Sequence, residues 1–157
     1  MPLLSGWAAL FLPPMERRAT CHCGQLLLRC TGEPSKVSLC HCFDCQRRTG
    51  SLFSVAAFFP RECVTVIAGT AKVFARASAS GFDVAFHFCP ECGSSLWWEP
   101  ARMPHLAGVA AGAFEDSGFP VPEQAVWAEQ RHTWLDLPLT EYARNPVKAP
   151  LKDADPD

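Results

Sequence analysis

The stretch Phe88-Cys89-Pro90-Glu91-Cys92-Gly93-Ser94 reads as a metal knuckle. Two thiols project from one tight turn. The glycine after the second cysteine permits the positive φ that turns backbone N–H groups toward sulfur. A knuckle supplies two of the four ligands that a closed tetrahedral metal site takes, so a second pair must come from elsewhere. Cys21-His22-Cys23-Gly24 offers one. In extended backbone, residues i and i+2 project to the same side. A four-cysteine site built from Cys21, Cys23, Cys89 and Cys92 ties the start of the chain to a turn far along it. In small zinc peptides such a site contributes on the order of 10–16 kcal/mol, as much as the whole stability of an ordinary domain.

Around these pairs the chain shows no long helical pattern. Short apolar, β-branched or aromatic runs alternate with Gly, Pro and Ser. Strands are predicted at 25–29, 52–59, 64–67, 72–76, 83–88, 95–98, 106–111, 126–130 and 133–137. Ala68-Gly69-Thr70 marks a turn. Many short strands at this spacing point to an all-β domain.

A third cluster, Cys40-His41-Cys42-Phe43-Asp44-Cys45, differs in kind. Its three thiols sit close enough in sequence to wrap one ion from one side. Three protein ligands with an open fourth position is the arrangement of a catalytic zinc site. Spacing alone leaves other partitions open. The triplet can share the knuckle's metal, or His22 or His41 can close a site. A thioredoxin-like reading has no βαβ pattern to support it. Cys30 and Cys63 stand outside the clusters and read as buried apolar thiols.

Nine cysteines in 157 residues is an odd count, which a disulfide framework would leave unbalanced. A cytoplasmic setting keeps thiols reduced and available for metal. Residues 3–12 are apolar, but too short to span a bilayer and without the flanks of a secretory signal. A net charge of −2 and the lack of a basic arm speak against a nucleic-acid partner. Met15, ahead of Glu16, Arg17 and Arg18, can serve as a start. Residues 1–15 are therefore read as an extension that need not be native, 16–140 as the zinc domain and 141–157 as a disordered tail.

Taken in order, Cys21-x-Cys23-Gly24, then Cys40-His41-Cys42-x-x-Cys45-Gln46-Arg47-Arg48-Thr49-Gly50-Ser51, then Phe88 to Ser94 resemble the glutathione-dependent formaldehyde-activating enzyme family, which includes the centromere protein V-like proteins. The likeness runs from about Thr20 to Leu137 and takes in Ala107-Gly108-Val109 and Trp127 to Leu135. The resemblance implies a mainly β fold: several small antiparallel sheets packed together and stapled by Zn²⁺ at two sites. By motif position, Cys21, Cys23, Cys89 and Cys92 would hold the structural zinc, and Cys40, Cys42 and Cys45 the second, reactive one. It implies carbon–sulfur lyase chemistry, joining glutathione and formaldehyde as S-(hydroxymethyl)glutathione. The expected partners are a small-molecule thiol and an aldehyde, with no membrane. In that chemistry Arg47 and Arg48 would offset thiolate charge and bind a carboxylate. His132 would relay a proton or simply pack beside Trp134. A non-catalytic zinc module that binds ligands or proteins is the competing expectation. Trp97 and Trp98 would then face a partner, although adjacent strand residues point to opposite faces.

Overall fold

A computed structural model describes residues 13–146; the expectations for 1–12 and 147–157 lie outside the described residues. Eleven strands and one short helix follow in chain order. They are β1 (Glu16–Thr20), β2 (Leu27–Thr31), β3 (Lys36–Cys40), α1 (Phe43–Thr49), β4 (Ser54–Pro60), β5 (Val64–Ala68) and β6 (Lys72–Ala77). Then come β7 (Asp83–Phe88), β8 (Ser95–Pro100), β9 (Leu106–Ala110), β10 (Gln124–Val126) and β11 (Thr140–Glu141). The fold is mainly β, as expected, and it consists of two sheets. One has three strands in the order β1-β2-β5. The other has eight, in the order β11-β10-β3-β4-β9-β8-β7-β6. Pairing is antiparallel except at β10, which runs parallel to both β3 and β11.

The residues explain this division. β4 reads Ser-Val-Ala-Ala-Phe-Phe-Pro and is apolar on both faces. Its odd-numbered positions Val55, Ala57 and Phe59 join Val37, Trp97, Ala107 and Val109 in the main core. Ala19, Leu28 and Cys30 meet that core from the three-stranded sheet. The even positions Ala56 and Phe58 join Phe86 and Trp98 in a second cluster on the opposite face. A sheet with one face in solvent would alternate apolar and polar; here both faces bury apolar rings. Trp97 and Trp98 divide between the two clusters and are 8% and 7% exposed.

Two expected strands change. The strand beginning at 126 ends there, because Trp127 adopts a left-handed conformation (φ 57°, ψ 39°) and a 3₁₀ turn follows at Ala128–Gln130. Residues 133 and 134 form a turn and 135–137 carry no regular structure, with the Leu135 N–H bonded to the His132 carbonyl at 3.0 Å. Pro138, which lacks an N–H, follows at once. Residues 141 and 142, within the segment read as a tail, are paired with the domain. Glu141 lies in β11, the Tyr142 N–H donates to the Ala125 carbonyl (2.9 Å) and the Ala128 N–H to the Tyr142 carbonyl (3.0 Å). Charge masked this segment in the sequence, since backbone bonds rather than apolar side chains hold it. β1 was missed for the same reason. It is an edge strand, and Glu16, Arg17 and Arg18 suit such a position.

Candidate metal centres and their cavity

The first cluster is made by two matching turns. In each, the first cysteine's N–H bonds a carbonyl five residues on: Cys21 to Leu26 (3.0 Å) and Cys89 to Ser94 (2.9 Å). In each, the glycine after the second cysteine has positive φ, 80° at Gly24 and 75° at Gly93, and its N–H returns to the first cysteine's carbonyl. The Leu26 N–H reaches the Cys21 sulfur at 3.2 Å. The His22 N–H donates to the Ser94 hydroxyl at 3.0 Å and so joins one turn to the other. The first turn leads from β1 to β2 and the second from β7 to β8, one in each sheet. The four sulfurs all lie within 4.8 Å of one another, with Cys21–Cys23 at 3.5 Å and Cys23–Cys89 at 3.7 Å. These cysteines are free thiols, and the set can hold a metal ion.

Electrostatics favour a cation here. The Ser94 hydroxyl and backbone N–H groups hold the Cys92 thiol down to about 5. Burial opposes ionisation of Cys21, but the Leu26 amide and the neighbouring thiols outweigh it and lower the pKa. Sulfurs this close share protons when no cation is bound, and a divalent ion replaces those protons.

The second cluster comes from one bend. Cys40 ends β3, Cys42 caps α1 with its sulfur accepting the Cys45 N–H at 3.4 Å, and Cys45 lies in the helix. The three sulfurs also lie within 4.8 Å of one another. The Cys40 and Cys45 thiols hold the Cys42 thiol down to about 2, and the same contacts push Cys40 up. Val126 and Trp127 pack against the three cysteines. Neither His22 nor His41 is brought into a cluster, and the triplet does not merge with the first. His22 is exposed. His41 is fully buried with its ring edge-on to Phe53 at 6.1 Å.

The triplet opens on a cavity of about 580 Å³. Strand alternation builds its wall. Cys40 of β3, Ser54 and Phe58 of β4, Phe86 of β7, Trp98 of β8 and Val126 of β10 all project from the same face of the large sheet. Gly108 of β9 sits opposite both Phe58 and Trp98 in the strand register. A Cβ there would lie 2.6 Å from Trp98 Nε1 and 3.1 Å from the Phe58 ring, so the two rings need this glycine.

The two arginines part company. Arg48 lines the cavity. It donates to the hydroxyls of Ser54 (2.7 Å) and Ser95 (3.3 Å), and its guanidinium lies 4.4 Å over the Trp98 ring and 5.1 Å over Phe86. No carboxylate pairs with it among the described residues. Arg47 points away, is 77% exposed and pairs with Asp44 at 3.0 Å. His132 lies 6.3 Å from Trp134, edge to face, and its Nε2 meets Gln46 Oε1 at 3.0 Å. Gln46 in turn donates to the His41 carbonyl at 2.8 Å, so His132 braces α1 and is not among the residues that line the cavity. Sequence reasoning missed the aromatic wall. The signal was present in β4, whose unbroken apolar run does not suit a strand with one face in water.

The profile of the family described as glutathione-dependent formaldehyde-activating enzyme matches residues 16–135. The chain belongs to this family. A crystal structure of a Rhodobacter sphaeroides protein is similar at 21% identity with a TM-score of 0.50, over 64% of this chain and 90% of that one. At that identity the likeness speaks for the fold. No helix among the described residues is long and apolar enough to cross a membrane.

Proposed function

We propose that this protein is a zinc-dependent carbon–sulfur lyase that forms or cleaves an S-hydroxyalkyl adduct between a glutathione-like thiol and an aldehyde. One observation carries the reading: three sulfurs within 4.8 Å of one another face a 580 Å³ cavity with no fourth cysteine or histidine beside them among the described residues. Zinc suits both clusters. A Zn–S bond of about 2.3 Å sets tetrahedral sulfurs about 3.8 Å apart, and the first cluster shows 3.5 and 3.7 Å. Cys21, Cys23, Cys89 and Cys92 would close one structural site. Cys40, Cys42 and Cys45 would hold the other ion, which supplies a position where a substrate sulfur is favoured as thiolate.

The surrounding side chains then divide the work. Three thiolates around a divalent cation leave one net negative charge, which opposes a fourth. Arg48 offsets that charge and presents N–H groups to a substrate carboxylate. Phe58, Phe86 and Trp98 keep water from the reacting carbon. In the forward direction the thiol sulfur adds to the aldehyde carbon and the thiol proton ends on the carbonyl oxygen. The reverse step breaks the same C–S bond and returns the proton to sulfur. Free thiols throughout suit the reducing cytoplasm.

Hemithioacetal formation and decay measured with zinc-loaded protein test the reading. A rate above the uncatalysed background that disappears in Cys42→Ala supports it. Background rates with a range of thiols and aldehydes would remove the enzyme. Binding that depends on the triplet without product would leave a ligand-binding module.

A further inference from the structure

The cavity is far larger than its smallest expected occupant. Formaldehyde fills the space of one or two waters, ~30–60 Å³, in a cavity of about 580 Å³. Apolar groups also reach well beyond the triplet. Val84 of β7 and Met103, before β9, are partly buried against the Phe58–Phe86–Trp98 cluster and line the cavity. Phe82 lines it from the β6–β7 connection and is 48% exposed. The turn that presents Phe82 is closed by its own carbonyl, which accepts the Ser78 N–H at 2.8 Å. A phenyl ring held at the rim of a cavity, with nearly half its surface in water, gains free energy from an apolar ligand and nothing from a one-carbon one.

Four cationic side chains, Lys36, Arg48, Arg76 and Arg102, share this lining. Arg48 lies over Trp98, and the Lys36 ammonium lies 5.1 Å over the Phe58 ring. Arg48 therefore offers an anionic end of a thiol a partner beside the triplet, whereas Lys36 stands at the far end of β3 with its ammonium 4.0 Å from Met103 Sδ. The apolar faces of Phe82 and Val84, with the Met103 side chain, remain for a second portion.

We infer that the site takes S-adducts whose aldehyde-derived half carries an apolar alkyl or aryl group, rather than the one-carbon adduct alone. This rests on the thiol–aldehyde reading above. It adds the substrate class: medium-chain or aromatic aldehydes and the hemithioacetals they form.

Unreactive thioethers separate the two claims. Affinities of zinc-loaded, full-length protein are measured by calorimetry for S-alkylglutathiones from methyl to hexyl, and for the matching straight-chain alkanethiols. Burial of each methylene should tighten binding about fourfold. Phe82→Ala and Met103→Ala, both outside the metal clusters, should flatten that dependence and leave affinity for the methyl compound unchanged. A rise with chain length among the S-alkylglutathiones supports the inference. A rise among alkanethiols alone, where the chain belongs to the thiol half, overturns it. Affinity independent of chain length, or no binding in either series, overturns it. Turnover of formaldehyde adducts without any chain-length trend overturns this inference and leaves the lyase reading standing. A chain-length trend without turnover does the reverse.

Discussion

The two cysteine clusters are assembled from the same side chain in opposite ways. The first draws its sulfurs from turns in different sheets, and Cys21 and Cys89 are both buried. The second draws all three from the bend between β3 and α1, and it faces a cavity. An ion in the first holds together parts of the chain that have no other covalent reason to meet. An ion in the second orders a bend that strand pairing already fixes, since β3 lies between β4 and β10. Under the proposed function, sequence separation rather than ligand type would divide a structural metal from a reactive one.

The largest effect should come from cutting the first cluster. Cys89→Ala removes a buried ligand from the site that joins the sheets, and metal binding worth on the order of 10 kcal/mol exceeds the margin of most domains. Circular dichroism and thermal melts should show loss of the cooperative fold. Cys42→Ala should keep the fold and one metal ion per chain, against two in the unaltered protein by elemental analysis. Equal unfolding of both variants would erase the distinction drawn between the clusters.

Much of this was legible before any coordinates. The knuckle at Cys89–Cys92 and its partner at Cys21–Cys23 carry their own backbone signature in Gly24 and Gly93, and the structure gives both positive φ. Strand 83–88 also stands where its apolar run placed it. What was hidden depends on contacts between distant residues. Nothing in Trp127 itself announces a left-handed backbone, which β-branched or bulky residues seldom adopt. Arg47 and Arg48 are adjacent and chemically alike. Only helix geometry sends one to solvent and the other onto Trp98. The β11 segment is held by main-chain bonds, which leave no apolar pattern to read.

Burial of a thiol without a cation gives a useful contrast to both clusters. Cys30 is fully buried, and desolvation followed by the nearby Cys63 pushes its thiol up to about 12 from an ordinary 9.0. The folded state therefore keeps a proton that the unfolded chain loses above pH 9. Stability is complete below that value and falls as pH rises toward 12, by about 1.4 kcal/mol per unit for one group. Urea unfolding at pH 8 and 10.5 should show this alkaline loss, and Cys30→Ala should reduce it. Identical pH slopes for the two proteins would mean that Cys30 ionises as freely inside as outside.

A change in the cavity wall should touch the second cluster's function and spare the first. Gly108→Ala places a methyl group 2.6 Å from Trp98 Nε1. Overpacking of this kind costs about 1–3 kcal/mol. Melting temperature should fall modestly with both metals retained, while thiol–adduct affinity drops at least tenfold as the Trp98 and Phe58 rings shift. Unchanged affinity would show that these rings do not define the binding surface.

The smallest effect separates two neighbours. Arg47 is an exposed helix residue paired with Asp44, and such pairs contribute about 0.5 kcal/mol or less. Arg47→Ala should leave stability and turnover within error. Arg48 meets two hydroxyls and two rings beside the triplet, so Arg48→Ala should lower kcat/KM for a carboxylate-bearing thiol adduct by at least tenfold. Arg48→Lys should recover part of that loss, since the charge returns but the planar fork that spans Ser54 and Ser95 does not. An uncharged thiol should feel the Arg48 change through thiolate stabilisation alone and lose less. Equal losses for charged and uncharged thiols would restrict Arg48 to balancing the sulfur charge, and an effect of Arg47 as large as that of Arg48 would put the cation requirement on the helix surface rather than in the cavity.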